Sequence, residues 1–102
     1  MSDYDIDKIS DIIHGRLRLG VMAYLANAGA ASFTELKNAL NVTQGNLSAQ
    51  MRKLEDAGYI DIDKRIEGRK PLTTVRITKS GRKAFSAYLE ALSGVLGDAL
   101  KG

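Results

Sequence analysis

The sequence predicts a mainly α-helical chain with one small β-hairpin, an α+β fold, and three patterns carry that prediction. Residues Thr43 to Ile60 form an amphipathic helix that runs directly into strand sequence. Residues 60–66 and 72–77 alternate apolar and polar positions on either side of a connection containing Gly68 and Pro71. Apolar residues at three-and-four spacing recur near both ends. At 102 residues and 44% hydrophobic, the chain is predicted to be a single domain, 1–102, with a modest core.

In chain order, Ile6, Ile9 and Ile13 form the first stripe, predicting an N-terminal helix within residues 1–15 that pauses at His14-Gly15. A scaffold helix follows from Arg16 to about Asn27. It turns Leu17, Val21, Tyr24 and Leu25 one way and Leu19, Met22 and Ala23 partly another, and Asn27-Ala28-Gly29 ends it. Tyr24 and Tyr88 read as packed aromatics with satisfied hydroxyls. Thr34 is placed to cap a short helix reaching Leu40, with Phe33 as the preceding apolar contact. Asn41 and Val42 leave a tight turn before Thr43, whose hydroxyl suits the next cap. In the helix after it, Leu47, Met51, Leu54 and Gly58 fall at i, i+4, i+7 and i+11, one core-facing stripe. Gly58 stops that helix, because a residue without a β-carbon readily adopts the left-handed conformation required there. Two helices joined so closely make a helix-turn-helix, with Leu36, Leu40, Val42, Leu47, Met51 and Leu54 as its core.

The hairpin places Ile60, Ile62 and Ile66 on one face and Asp61, Asp63 and Arg65 on the other. Residues 67–71 read as a loop, and Leu72 to Ile77 as the return strand with Thr73, Val75 and Ile77 sharing a face. Thr78 then caps a helix over residues 78–102 carrying Phe85, Tyr88, Leu89, Leu92, Val95 and Leu96, a longer stripe than one small domain needs. Both terminal segments are therefore expected to form a homodimer interface, using Ile6, Ile9, Ile13, Phe85, Tyr88, Leu89, Leu92, Val95 and Leu96. Gly94 and Gly97 predict fraying past Ser93.

The functional pattern lies on the helix after Thr43. At 100° per residue Gly45, Ala49 and Arg52 fall opposite the core stripe, flanked by Asn46, Ser48 and Lys53, and the wheel places no carboxylate there before Asp56. Amides, a hydroxyl and cations on one face match what base edges and phosphates require. Lys64, Arg65, Arg69 and Lys70 make the neighbouring hairpin basic, suited to straddle a phosphate backbone or reach a minor groove. The net charge is only +3, but Asp3, Asp5, Asp7 and Asp11 make the N-terminus acidic, and the cations concentrate in the proposed DNA-facing half.

Residues 16 to about 90 resemble the winged helix-turn-helix transcriptional regulators of the MarR and ArsR type. The resemblance rests on Arg16-Leu17-Arg18-Leu19, Ser32-Phe33-Thr34-Glu35-Leu36, Val42-Thr43-Gln44-Gly45-Asn46-Leu47-Ser48, Leu54-Glu55-Asp56-Ala57-Gly58-Tyr59-Ile60 and Ile77-Thr78-Lys79-Ser80-Gly81. It implies that residues 16–77 are the helix-turn-helix plus wing, and that Thr43, Gln44, Asn46, Ser48, Ala49, Gln50 and Arg52 approach DNA. Lys53 joins them from the outward face. It also implies that Arg69 and Lys70 form the wing tip, although Glu67-Gly68-Arg69 replaces the Asp-x-Arg signature of larger relatives. Gln50 departs from the rest, since its wheel angle lies nearer the buried stripe. The expectation is a dimeric regulator, a repressor by the family's habit, on a palindromic operator whose major grooves lie about 34 Å apart.

Other functions find little support. One histidine and no cysteine leave no metal set, no phosphate-cradling glycine pattern occurs, and neither an enzyme nor a cofactor is expected. His14 reads as a surface residue. The lack of cysteine fits a reducing cytoplasm, and no apolar run approaches the roughly 20 residues that span a bilayer. No polar cluster marks an effector pocket. The alternative is a winged-helix protein-interaction module, against which stand Gly45 and Ala49 where exposed aromatics would be expected.

Overall fold

A computed structural model describes residues 4–97 and Ala99. A single 3₁₀ turn at Ile6–Lys8 precedes α1 (Arg16–Ala28), β1 (Ala30–Ser32), α2 (Phe33–Leu40), α3 (Gln44–Asp56), β2 (Ile60–Glu67), β3 (Lys70–Ile77) and α4 (Lys79–Leu96). The strands form one antiparallel sheet in the order β1-β3-β2, with Ala31 opposite Val75 and Ile62 opposite Val75 from the other side. β1 was not anticipated; three small residues show no alternation long enough to read.

Caps set most of the boundaries. Ser32, not Thr34, begins α2: its Oγ accepts from Glu35 N–H at 3.0 Å while Glu35 Oε1 accepts from Ser32 N–H at 3.4 Å, a reciprocal capping box. Thr34 lies within the helix because its own position three residues on is Lys37, which cannot reciprocate. Asn41 ends α2 in the left-handed region at φ 54°, so the turn to Thr43 is closed by a side chain that tolerates that conformation. Thr43 Oγ1 accepts from Asn46 N–H at 3.2 Å, as expected. Gly58, at φ 81°, closes α3: Gly58 N–H donates to Glu55 O and Tyr59 N–H to Leu54 O, the paired bonds of a Schellman end.

The core joins the helix-turn-helix to the sheet. Leu36, Leu47 and Leu54 are fully buried beside Val21, Met22, Leu25, Ile60 and Val75, and half-buried Leu40 and Val42 pack against them. The hairpin is tighter than predicted. Pairing continues to Glu67 opposite Lys70, so the expected five-residue loop contracts to Gly68-Arg69, with Gly68 at φ 64°. Pro71 is tolerated inside β3 because β1 reaches only residues 74–76, leaving its edge open there. Ile66, predicted to face inward, is 78% exposed, since the hairpin runs beyond the core that buries Ile60.

The ends of the chain correct two further expectations. The N-terminal stripe does not form an α-helix beyond the one 3₁₀ turn, and Ile13 is fully buried in the chain's own core. Tyr88 is also buried, 1% exposed, with its hydroxyl 2.9 Å from His14 Nδ1 and its ring stacked near Phe85. Neither Ile13 nor Tyr88 is thus free to face a second copy: the segment before α1 folds back beneath α4 and covers that part of the stripe. Helix α4 stays helical through Leu96, three residues past the predicted fraying point.

Gly81 allows α4 to begin where it does. A β-carbon there would lie 2.9 Å from the Tyr59 carbonyl carbon and closer still to its oxygen, with Ile77 also in contact. Gly81→Ala is therefore expected to destabilise the fold by about 3 kcal/mol, the upper end of overpacking costs. Thermal denaturation should show it as a loss of roughly 4–8 °C per kcal/mol. Gly45→Ala, with open space around it, should be neutral or stabilise by up to about 1 kcal/mol.

Candidate nucleic-acid interface

Helix α3 is held by Leu47, Met51 and Leu54 on its inner side, and this leaves Thr43, Gln44, Gly45, Asn46, Ser48, Ala49, Arg52 and Lys53 exposed. Gly45 and Ala49 form a low crest along the outward face. On one flank Gln44, Ser48 and Arg52 line a groove of about 330 Å³ whose opposite wall is Ile62, Lys64 and Thr73 of the hairpin. On the other flank Asn46 and Gln50 border a second concavity, of about 560 Å³, formed with the start of α1. The helix-turn-helix and the hairpin thus place polar side chains on both sides of a crest that lets a backbone come close.

The hairpin cations do not act as one set. Lys64 lies opposite Thr73, on the face shared with Ile62, and looks into the groove. Arg65 belongs to the opposite face and is bonded to Asp63, Nε to Oδ2 at 2.6 Å, in an exposed pair that contributes at most about 1 kcal/mol. Arg69 occupies the turn and Lys70 the first position of β3. Among the described residues, Arg52, Lys53, Lys64, Arg69 and Lys70 are paired with no carboxylate.

Two residues change the site expected from the helical wheel. Gln50 is half-buried, and its Oε1 accepts from Arg18 Nη1 on α1, so it is turned away from the crest. Glu55, which the wheel left off the polar face, lines the groove with Arg52 and Lys64. Its angle beside the core stripe hides it on a wheel; only the hairpin's approach brings it into the site. Arg18 escaped notice because nothing in the spacing of a single arginine shows what its guanidinium reaches.

Residues 17–96 match the model of a family described as the winged helix DNA-binding domain. This chain belongs to that family. The winged-helix domain is 33% identical over 78 residues to an uncharacterised protein of Methanocaldococcus jannaschii, covering 76% of this chain and 85% of the other. A transcriptional regulator homologue from Pyrococcus horikoshii OT3 matches it with a TM-score of 0.83 and 34% identity over 91% of each chain. Reduced AbfR, in a structure bound to DNA, shares the fold at a TM-score of 0.78 and 16% identity, covering 98% of this chain and 69% of that one. MarR also shares the fold, at a TM-score of 0.75 and 16% identity. The winged-helix family is one of DNA-binding proteins rather than enzymes, and no helix among the described residues is long and apolar enough to cross a membrane.

Away from the groove, the Tyr24 hydroxyl donates to Glu35 Oε2 at 3.2 Å and links α1 to α2 of the winged-helix domain. That hydrogen bond raises the Tyr24 pKa above 10.0, with burial and the Glu35 charge adding in the same direction. A raised folded pKa stabilises the fold fully below the unfolded value and loses that contribution as pH climbs through the folded one. The phenolate absorbance missing in Tyr24→Phe should therefore titrate above that of a free tyrosine. Glu35→Gln should bring it back toward the ordinary value.

Proposed function

We propose that this chain is a homodimeric, sequence-specific transcriptional regulator, acting as a repressor, that binds a palindromic double-stranded operator. The observation that carries this reading is the exposed α3 face, whose amides, hydroxyls and unpaired cations flank a crest of Gly45 and Ala49 beside a basic hairpin. Small crest residues allow α3 to sit deep in a major groove, and Asn46 and Arg52 then reach base edges from either flank. Gln44, Ser48 and Thr43 fill the remaining polar positions near the N-terminus of α3, Lys53 adds a phosphate contact, and Lys64, Arg69 and Lys70 neutralise the backbone. Arg65, held by Asp63 on the far face, contributes less.

The dimer reading now rests on a reduced set. Ile6, Leu89 and Leu96 are 67%, 48% and 39% exposed, and Ile9, Phe85, Leu92 and Val95 are half-buried beside them. Such a set exposed on one small chain is the kind of apolar surface a second copy covers. The DNA-bound AbfR neighbour supports the same mode of use for the fold.

Random duplex DNA should be selected on the purified protein and the protein's mass measured in the same buffer. Enrichment of a two-fold motif by a dimer is the expected result. A well-folded protein that enriches nothing would refute the reading and favour an interaction module. On the selected duplex, Asn46→Ala and Arg52→Ala should each reduce discrimination against random DNA by about 1–3 kcal/mol. Arg69→Ala should weaken binding to all DNA and lower the salt slope by roughly 0.9, whereas Glu55→Gln should strengthen it on all sequences by removing a like charge from the groove. Equal losses on cognate and random DNA for Asn46→Ala would contradict its role as a reader.

A further inference from the structure

Arg18 is where three parts of the chain meet. It stands half-buried on α1, and its Nε donates to Ile12 O at 2.6 Å. Its Nη1 donates to Gln50 Oε1 on α3, and Nη2 makes a longer contact, 3.4 Å, with Asp11 O. The guanidinium lies back over Gly15, where a β-carbon would come within 2.9 Å of Nε and closer to Cζ and Nη2. The residue that caps α1 therefore has to be small for this arrangement to exist. The segment that Arg18 grips is itself anchored: Ile13 is in the core and His14 meets Tyr88 of α4.

We propose that Arg18 is a positioning residue for DNA recognition, which sets the pose of α3 by holding Gln50 and ties that pose to residues 11–13. The proposal rests on the regulator reading above and adds to it the device that aims the reading helix. Gln50 is then a handle rather than a base reader. A planar guanidinium suits this task because it offers several donors in a fixed fork, whereas a lysine ammonium on a flexible stem cannot hold two carbonyls and an amide in the same geometry. The bonds also lie at the flank of α3 that carries Asn46, so a small rotation about this tether moves that side chain relative to the bases of a bound duplex.

Two measurements test it, one without DNA. In the free protein, hydrogen exchange of the α3 amides should be faster in Arg18→Met, which keeps the aliphatic stem but no donor, and close to wild type in Gln50→Glu, which keeps the acceptor. On the selected duplex, Arg18→Met and Gln50→Leu should each lower affinity by roughly tenfold, the scale of a lost hydrogen bond to a charged group. Binding to random DNA should change little, and the salt slope should stay as in the wild type. The double variant should be no weaker than either single one. Unchanged α3 exchange in Arg18→Met would overturn the proposal. So would a salt slope reduced by about 0.9, which marks a direct phosphate contact, or additive losses, which mark Gln50 as an independent reader. If Arg18→Met fails to fold, the exchange of Gln50→Leu decides, since it cuts the tether and leaves the Arg18 bond to Ile12. Should the wild-type protein select no DNA, the regulator reading falls, while the exchange experiment still judges the Arg18–Gln50 tether separately.

Discussion

Everything in this fold depends on one joint, the seat of α4 on the turn that ends α3. Thr78 Oγ1 donates to Gly58 O at 2.7 Å and accepts from Gly81 N–H at 2.8 Å, and Thr78 N–H donates to Tyr59 O at 3.1 Å. One threonine thereby joins the end of α3, the root of the hairpin and the start of α4. The left-handed Gly58 and the space left by Gly81 are both conditions of that joint. Because both hairpin strands leave from this point, the distance between α3 and Lys64 is set by the hydrogen bonds of Thr78 as well as by side-chain packing. The groove inherits its width from them.

On the other side of α3 the means are different. There the helix is held by Leu47 and Leu54 in the core and by the Arg18 fork at Gln50. A hydrogen-bonded joint at Thr78 on one flank and a polar tether on the other leave the crest between them free of any internal partner. Polar groups follow the same division: Gln50, on the side facing α1, is engaged, and the cations beside the crest are not.

Much of this was legible in the sequence where a single local rule suffices. The caps at Thr43 and Thr78, the stop at Gly58 and the inner stripe of α3 each depend on residues within one or two turns, and each is found where it was expected. What was not legible depends on partners distant in sequence. The strand at Ala30–Ser32 exists because β3 comes alongside it, and its residues carry no alternation of their own. Ser32 is a local exception, outcompeting Thr34 because only it has Glu35 three positions on. Ile13 and Tyr88 share an apolar stripe with exposed neighbours, and periodicity cannot say which members the chain will cover itself. Glu55 and Gln50 illustrate the same limit within the candidate site, one brought in by the hairpin and the other taken out by α1.

The sheet order leaves β2 at an edge, eight residues long, with its outer row of amides and carbonyls unpaired by any other strand among the described residues. A flat apolar strand in that position would recruit a neighbouring molecule and begin a fibril. Asp61, Asp63, Lys64, Arg65 and Glu67 place a charge at five of its eight positions, and Pro71 interrupts the donors of its partner near the tip. A second chain laid against this edge would meet its own like charges in many registers. The wing can therefore project beyond the core without becoming a template for polymerisation.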